Sequence, residues 1–265
     1  MTTRIMLLAL AFATGLVFPA MASDSKLASA VASPTRASEN TARDRFRHPQ
    51  ASLEFWGVKP GQTLIEIAPS NGYWTEILAP YEKATGGHYI AAEGRTGQTL
   101  PAKFADKAIY GEIAYTVFSH TSGPLGPAGS ADLVLTARNI HDWLWSPGYA
   151  EKAMADFFAV LKPGGILAVE DHRADPRPQM GDAHDGYVAT ATIVNLAKKA
   201  GFVLEAKSEI NANPKDTKDH PFGVWTLPPT RQSSASGQPD PKFDHSRYDA
   251  IGESDRMTLR FRKPG

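Results

Sequence analysis

The sequence predicts one α/β domain with a single doubly wound, mostly parallel sheet and an antiparallel last strand. Short continuous apolar runs alternate with segments whose apolar residues recur at helical spacing, which is typical of parallel strands covered on both faces. The 265 residues, 42% of them hydrophobic, suffice for one such domain and are few for two. Residues 256–264 alternate apolar and polar side chains, which predicts a half-covered edge strand.

Charge and cysteine content narrow the class of function. The 28 basic residues balance 28 acidic residues, so the chain lacks the overall basic charge that phosphate binding needs, and we expect no nucleic acid partner. The sequence contains no cysteine, which excludes disulfides, thiolate nucleophiles and cysteine-ligated metal sites. The fold must therefore be held by its core alone.

The first 22 residues have the pattern of a secretory signal peptide. Arg4 is followed by an apolar run over residues 5–18 and then by Ala20-Met21-Ala22, which predicts cleavage after Ala22. The run is about 14 residues long and too short to span a bilayer comfortably, although an uncleaved membrane anchor is the alternative. We expect an exported protein, periplasmic or secreted, with no membrane span after cleavage.

The rest of the chain divides into a linker, a domain and a long insertion. Residues 23–40 are small and polar without an apolar period and predict a flexible linker, and residues 41–265 predict the α/β domain. Residues 211–253, rich in Pro, Ser, Asp and Lys, predict a long loop that forms a lid or flank over the site. Predicted strands lie at residues 63–68, 88–93, 113–118, 132–137, 165–171, 202–210 and 256–264, and predicted helices at residues 73–81, 148–162 and 186–201.

The loop after the first predicted strand is the first candidate for a ligand site. Ligands of open α/β sheets bind at the carboxyl ends of the strands, where the strand order reverses. The loop Ala68-Pro69-Ser70-Asn71-Gly72 has small side chains, and amides at the following helix start can face an anionic group. A dinucleotide fingerprint would read G-x-G-x-x-G, whereas this loop reads A-x-S-x-G and Pro69 lacks an amide hydrogen. A nicotinamide dinucleotide site is therefore disfavoured.

Several motifs resemble those of class I S-adenosylmethionine-dependent methyltransferases. LIEIAPSNGYWTE is similar to their first motif, an acidic residue followed by G-x-G-x-G, with Glu66, Ala68, Ser70 and Gly72 in the four places. SADLVLTARNIHDW is similar to the fourth-strand motif, and LKPGGILAVEDHRA to the turn and strand that come next. The resemblance covers residues 41–265 and is closest to exported bacterial predicted methyltransferases. It implies a Rossmann-like methyltransferase fold, S-adenosylmethionine as cofactor and an unidentified acceptor.

The resemblance also implies roles in a cofactor site. Gly72 would let the backbone approach the cofactor, Glu66 would brace the loop by accepting amide hydrogens, and Glu93 would hold the ribose hydroxyls. Ala68 and Ser70 replace glycines and narrow the space for the methionine end of the cofactor; at positive φ each would be strained by about 1 kcal/mol or more. The alternatives are a solvated strand-end carboxylate for Glu93 and a plain helix-start glycine for Gly72.

The segment RNIHDW leaves the fourth strand where the resemblance places the transferred methyl group. Asn139, His141 and Asp142 are therefore the candidates for positioning or deprotonating an acceptor, and the histidine suits this because its ordinary pKa lies near neutrality. Capping of a turn is the alternative role of His141. Trp143 and Trp145 would wall an apolar pocket or, alternatively, belong to the core.

A second polar cluster follows the fifth predicted strand. Asp171, His172 and His184 could form an open metal site, since two histidines and a carboxylate make such a ligand set. Their spacing matches no known ligand motif, so we predict no metal and favour solvated or substrate-binding groups.

Three functions remain after this reading. A methyltransferase acting on a small-molecule or other unidentified acceptor is the first. A non-catalytic binding protein of the cell envelope with the same fold is the second, and a nicotinamide-dependent oxidoreductase is the third. The sequence does not predict the oligomeric state.

Overall fold

The computed structural model describes residues 24–176 and 183–265, so the predicted signal peptide lies outside the described residues. Eight strands are present there: β1 Thr63–Ile67, β2 His88–Glu93, β3 Ile113–Val117, β4 Ala131–Ala137, β5 Leu161–His172, β6 Val203–Ser208, β7 Pro221–Val224 and β8 Arg256–Arg262. The helices are α1 Ser25–Val31, α2 Ser38–Thr41, α3 Asp44–Arg47, α4 Pro49–Trp56, α5 Thr75–Thr85, α6 Lys107–Tyr110, α7 Ile140–Trp143, α8 Tyr149–Val160, α9 Thr190–Lys199 and α10 Ser246–Ile251, with a 3₁₀ helix at Ala102–Ala105.

Seven of these strands form one sheet in the order β3-β2-β1-β4-β5-β8-β6. The pairs among β1 to β5 are parallel, whereas β8 pairs antiparallel with both β5 and β6. The predicted doubly wound, mostly parallel sheet with an antiparallel last strand is confirmed. The strand order reverses between β1 and β4, and the carboxyl ends of these two strands therefore flank the crevice where such folds bind ligands.

The last strand occupies a different place from the one its sequence predicts. Residues 256–264 predict an edge strand, but β8 lies between β5 and β6, and β6 forms that edge. Two of the polar residues that suggested exposure, Arg256 and Thr258, are buried, and Arg256 donates to the carboxylate of Glu170 at 2.8 Å. Alternation of polar and apolar residues marks an edge only when the polar groups face water, and here a charge pair allows Arg256 to be buried.

The core has one layer on each face of the sheet. Successive residues of β1 enter different layers, with Leu64 in the layer under α4 and α5, and Ile65 in the layer under α8 and α9. Both side chains are fully buried, because each points into a helix layer rather than to solvent. This explains why the strands read as continuous apolar runs, and it leaves the strand ends as the open part of the sheet.

The segment expected to be a flexible linker is ordered from residue 24 onward. Helix α1 begins after Asp24, whose side chain caps it by accepting from the amides of Lys26 and Leu27. Leu27 is fully buried in the layer that also contains α5. The linker prediction is wrong for these residues, because a helix of two turns needs few apolar residues to bury one stripe, too few to produce a visible period.

The predicted insertion, residues 211–253, is mostly irregular but well packed. It contains β7, which is not a strand of the seven-stranded sheet, and α10. Several of its side chains are buried, among them Asn211, Asp216 and His220. Within the two described ranges, no helix combines the length and the apolar character that crossing a membrane requires.

Candidate active site

A polar cavity of about 230 Å³ opens at the carboxyl ends of β1, β4 and β5. Part of the insertion covers it, through Trp225 and Pro228 to Thr230, as the lid prediction expects. The cavity wall contains six of the eight site residues that the sequence predicts: Glu66, Ala68, Ser70, Asn139, His141 and Asp142. Gly72 and Glu93 are not part of this wall and are described separately below.

The loop after β1 adopts the conformation that glycines would favour. Ala68 has φ +47°, Ser70 has φ +55° and Gly72 has φ +78°. The left-handed region costs a residue with a Cβ atom about 1 kcal/mol or more, so Ala68 and Ser70 are the strained case anticipated above. Strain of this kind persists where the surrounding structure fixes the backbone and is common at ligand sites.

Glu66 supports this loop through its carboxylate, but not in the predicted way. Its Oε2 accepts from the hydroxyls of Tyr89 at 2.6 Å and Thr75 at 3.2 Å, rather than from backbone amides. These contacts fix the end of β1 to the start of α5 and to β2. Burial raises the pKa of Glu66 to about 7, although the two hydroxyl donors act in the opposite direction. Glu66 therefore lies at the cavity and braces the loop, but its donors are side-chain hydroxyls and not the backbone amides that were predicted.

The glycine at the helix start is covered by the chain itself. A Cβ atom on Gly72 would lie 2.3 Å from Cζ of Phe104, a side chain in the 3₁₀ helix after β2 that is 3% exposed. Gly72 therefore permits a close approach, but the approaching group in this structure is an aromatic ring, and approach to a cofactor stays a prediction.

Glu93 ends β2 and is buried at 4% exposure. Its Oε2 accepts from Nε2 of Gln98 at 2.8 Å, so the next loop folds back onto it. Burial raises the pKa of Glu93 above its ordinary value. The alternative of a solvated carboxylate does not describe this residue, whereas the role in ribose binding stays a prediction.

His141 lines the cavity and forms a hydrogen-bonded pair with the fully buried Asp171. Nδ1 of His141 lies 2.8 Å from Oδ1 of Asp171. Asp171 also accepts from the amides of Ile140, His141 and His172, so both of its oxygens are fully used. A carboxylate on Nδ1 fixes the tautomer that leaves Nε2 free to accept a proton.

The charge environment raises the pKa of His141. Burial lowers its pKa, but the charge and hydrogen bond of Asp171 raise it more, and the net direction is upward. Asp142, with a half-exposed side chain, lies 3.3 Å from Nε2 of His141, and burial raises its own pKa. The imidazole and its two carboxylates therefore form a group able to hold and release a proton near neutrality.

Asn139 has a supporting role in this structure. Its Nδ2 donates to the carbonyl of Ile67 at 3.1 Å and to Oγ1 of Thr136 at 3.2 Å. The side chain thus joins the end of β4 to the end of β1 and fixes the width of the crevice between them.

His172 lies beside this pair but differs from it in protonation. Its Nδ1 is 2.5 Å from Oγ of Ser254, and burial, followed by the charge of His141 and nearby arginines, holds its pKa well below the ordinary value. His141, Asp171 and His172 place possible ligand atoms within 4.8 Å of one another. Asp171 already accepts four hydrogen bonds, which leaves this carboxylate poorly suited to bind a metal. His184 lines a separate surface pocket with Trp145 and Phe222.

The two predicted pocket tryptophans separate in the fold. Trp143 is 5% exposed and packs edge-on against Phe118 in the core, 5.1 Å between ring centroids. Trp145 is 47% exposed and lies 5.8 Å from Trp225 of the insertion. Trp225 walls the cavity and was not identified from sequence, because nothing local distinguishes it from other tryptophans of a loop.

A group of buried and half-buried arginines is the largest feature that the sequence did not predict. Arg47 and Arg138 line the cavity, and Arg43 and Arg256 stand behind them. The arginines surround Glu253, whose pKa falls to about 2 because the arginine charges overcome the effect of burial. The run RDRFR was a visible signal, yet a surface helix is the usual place for such a run.

Comparison with known proteins agrees with the fold and with the motifs. No family model matches the chain. It is 26% identical over 143 residues to the ubiquinone/menaquinone biosynthesis C-methyltransferase UbiE of Hydrogenovibrio crunogenus, a match that covers 51% of this chain. The chain spans about half the length of this curated relative, 52%.

Solved structures extend the similarity to most of the chain. An S-adenosylmethionine-dependent methyltransferase of Aquifex aeolicus gives a TM-score of 0.55 at 14% identity, covering 84% of this chain and 93% of that one. The chain has the class I methyltransferase fold. The [4+2]-cyclase SpnF gives a TM-score of 0.57 at 16% identity, with 82% and 81% covered. Because a cyclase has a similar fold, the fold does not determine the reaction, which depends on the residues of the site.

Proposed function

We propose that this chain is a methyltransferase that uses S-adenosylmethionine and methylates a small molecule. The observation that carries the proposal is the His141–Asp171 pair, because its histidine lines the same cavity as the loop of Ala68 and Ser70. The cofactor supplies a methyl group already activated on a sulfonium, so the protein mainly needs to align the reactants and exclude water. Similarity to a C-methyltransferase and to methyltransferase structures supports this assignment.

The protein fits the methionine end of the cofactor better than the nucleoside end. The loop at Ala68 and Ser70, where the motif resemblance puts the methionine end, faces the cavity. At the nucleoside end, Phe104 covers Gly72 and Gln98 holds Glu93. The cavity of about 230 Å³ is also smaller than the roughly 300–1,000 Å³ common for ligand pockets. We therefore propose that residues 94–105 move away from Gly72 when the nucleoside binds.

His141 is the proposed base of the reaction. Its Nε2 would accept the proton of the acceptor's nucleophilic atom, with Asp171 as the positioning residue that keeps Nδ1 protonated. Because the pKa of His141 is raised, the neutral imidazole that accepts a proton becomes populated only as the pH rises through that value. The acid limb of the rate profile should thus lie at higher pH than for an ordinary histidine.

Calorimetry with S-adenosylhomocysteine tests the cofactor assignment. We expect binding in the micromolar range and a large loss of affinity in Glu93→Ala, since Glu93 is the predicted ribose ligand. Glu112→Ala is the control, because Glu112 is exposed and lies in another strand-flanking turn. Absence of binding to the unaltered protein would remove the enzyme assignment, and binding of a nicotinamide dinucleotide instead would favour the oxidoreductase.

Titration of the His141 imidazole by NMR tests the base assignment without an acceptor. We expect Asp171→Asn to lower the pKa of His141, because the charge that raises it is lost. An unchanged pKa in a folded Asp171→Asn protein would contradict the pairing.

A non-catalytic binding protein is the second candidate. The ring of Phe104 over Gly72 favours it, because it reduces access to the nucleoside side of the crevice. Binding of small acids without S-adenosylhomocysteine binding is the result that would select this function.

We propose that the protein is exported, on the basis of the first 22 residues. Cell fractionation with mass measurement of the mature chain tests this. A full-length precursor in the cytoplasm would contradict cleavage after Ala22.

A further inference from the structure

Two buried arginines, Arg47 and Arg256, and two half-buried ones, Arg43 and Arg138, form one cluster near two carboxylates, and we call these four residues the arginine cluster. Glu253 accepts from Nε of Arg43 at 2.5 Å and from Nε of Arg47 at 3.0 Å. Nη1 of Arg256 lies 3.0 Å from Glu253 and 2.8 Å from Glu170. Three guanidinium groups thus contact two carboxylates, and the fourth, of Arg138, adds its charge nearby. The cluster therefore carries more positive than negative charge.

Several guanidinium nitrogens of the cluster have no partner among the described residues. Nη2 of Arg47 and Nε of Arg138 are buried without a hydrogen bond, and both residues line the cavity. Arg47 as a whole is 1% exposed, so water does not replace the missing partner from bulk solvent. A buried donor without an acceptor is costly, and one on a cavity wall points to a ligand that supplies the acceptor.

Glu253, which pairs with the cluster, does not accept from these two nitrogens. Both oxygens of Glu253 already accept, one from Arg43 and the other from Arg47 and Arg256. Asp171 and Asp142 flank His141, at 2.8 Å and 3.3 Å from its two ring nitrogens. Burial and the neighbouring arginines lower the pKa of Arg47 to about 9, which is the direction expected of an arginine that lacks a full counter-charge.

We propose that the methyl acceptor is a small acid whose carboxylate binds between Arg47 and Arg138. This rests on the proposed function and adds the class of substrate to it. The planar guanidinium fork matches a carboxylate in geometry as well as charge.

Two features favour the acceptor over the cofactor as the source of the anion. Arg138 follows β4 directly, and His141 is three residues further along. An acid whose carboxylate binds Arg138 would therefore place its remaining atoms near Nε2 of His141. S-adenosylmethionine carries a net positive charge at neutral pH, from the sulfonium and the ammonium against one carboxylate. An anionic acceptor beside it reduces the repulsion from the arginine cluster.

The test is binding of benzoate to the full protein, with neutral benzamide as the isosteric comparison. We expect benzoate to bind at millimolar concentration or better and benzamide at least ~10-fold more weakly, as for loss of charge-assisted hydrogen bonds. Arg138→Gln should weaken benzoate ~10-fold, and it should fold, because no side-chain hydrogen bond of Arg138 to the described residues is lost. The matched control is Arg45→Gln, an exposed arginine of the same helix as Arg47, which should leave binding unchanged.

Three results overturn the proposal. The first is no benzoate binding, and the second is equal binding in Arg138→Gln. The third is competition between benzoate and S-adenosylhomocysteine, together with an Arg138→Gln protein that binds S-adenosylhomocysteine more weakly but methylthioadenosine equally well. Because methylthioadenosine lacks the carboxylate, this result would assign the anion site to the cofactor. Simultaneous binding of benzoate and S-adenosylhomocysteine supports the acceptor. Because benzoate binding is measured without cofactor, its failure is distinguishable from failure of the cofactor to bind.

Discussion

The carboxyl group of Glu66 is the buried titratable group that most clearly couples loop geometry to pH. It is 4% exposed, and burial raises its pKa to about 7. The folded protein therefore retains a proton that the unfolded chain releases near pH 4.5. The sign follows from linkage: this proton contributes stability below the unfolded pKa, and the contribution is lost as the pH rises through the folded pKa.

Glu66→Gln should remove this pH dependence. The amide oxygen can accept from both Thr75 and Tyr89, because both hydroxyls already donate to one oxygen, Oε2. We expect the variant to be more stable than the unaltered protein by about 3 kcal/mol at pH 8 and by less than about 1 kcal/mol at pH 5. Urea unfolding at the two pH values measures this. Glu112→Gln, on an exposed residue, is the control, and a pH-independent difference for Glu66→Gln would contradict the raised pKa.

At the scale of elements, the segment after β2 covers Gly72, on the side of the crevice where we propose that the nucleoside binds. Phe104 packs in the core layer with Tyr110, 4.7 Å between ring centroids, and lies over Gly72. The segment is thus part of the core in this structure and would have to leave it when a nucleoside binds. The stability of the segment and the affinity for cofactor should therefore oppose one another.

Phe104→Ala should separate these two effects. Loss of a buried phenylalanine typically costs about 3–5 kcal/mol of unfolding free energy. The same change uncovers Gly72, so we expect tighter binding of S-adenosylhomocysteine by calorimetry despite the lower stability. Phe157→Ala, fully buried in the other core layer, is the control that should lose stability without gaining affinity. Weaker binding in Phe104→Ala would indicate that the ring supports the cofactor site rather than covers it.

At the scale of the whole molecule, the two ends of the described chain meet at the site. The segment before β1 supplies Arg43 and Arg47, and the segment before β8 supplies Glu253. Helix α1 packs against α5 through Leu27, so residues 24–47 belong to the domain. The cavity wall therefore forms only when residues 24–47 are folded, because Arg47 belongs to both.

Leu27→Ala should show that α1 is part of the cooperative unit. Truncation of a fully buried leucine costs about 2–5 kcal/mol, whereas a change in a flexible linker would cost nothing measurable. Ser29→Ala, on the exposed face of the same helix, should remain within about 0.5 kcal/mol of the unaltered protein. Equal unfolding midpoints for the two variants would restore the linker prediction.

The sequence by itself determined the sheet, its parallel strands and the loop at which the site lies. These follow from local patterns, since apolar runs and small-residue turns report the burial and backbone conformation of their own residues. It also placed His141 and Asp142 at the cavity, because residues that follow a strand directly must lie at its carboxyl end.

Only the tertiary structure decided the partners of these residues. Asp171 lies 30 positions from His141, and Glu253 lies 206 positions from Arg47, so no local pattern could pair them. The same is true of Phe104 over Gly72 and of β8 between β5 and β6. A charge is buried only where a group distant in the sequence neutralises it. That pairing is decided by tertiary packing and not by the neighbouring residues in the sequence.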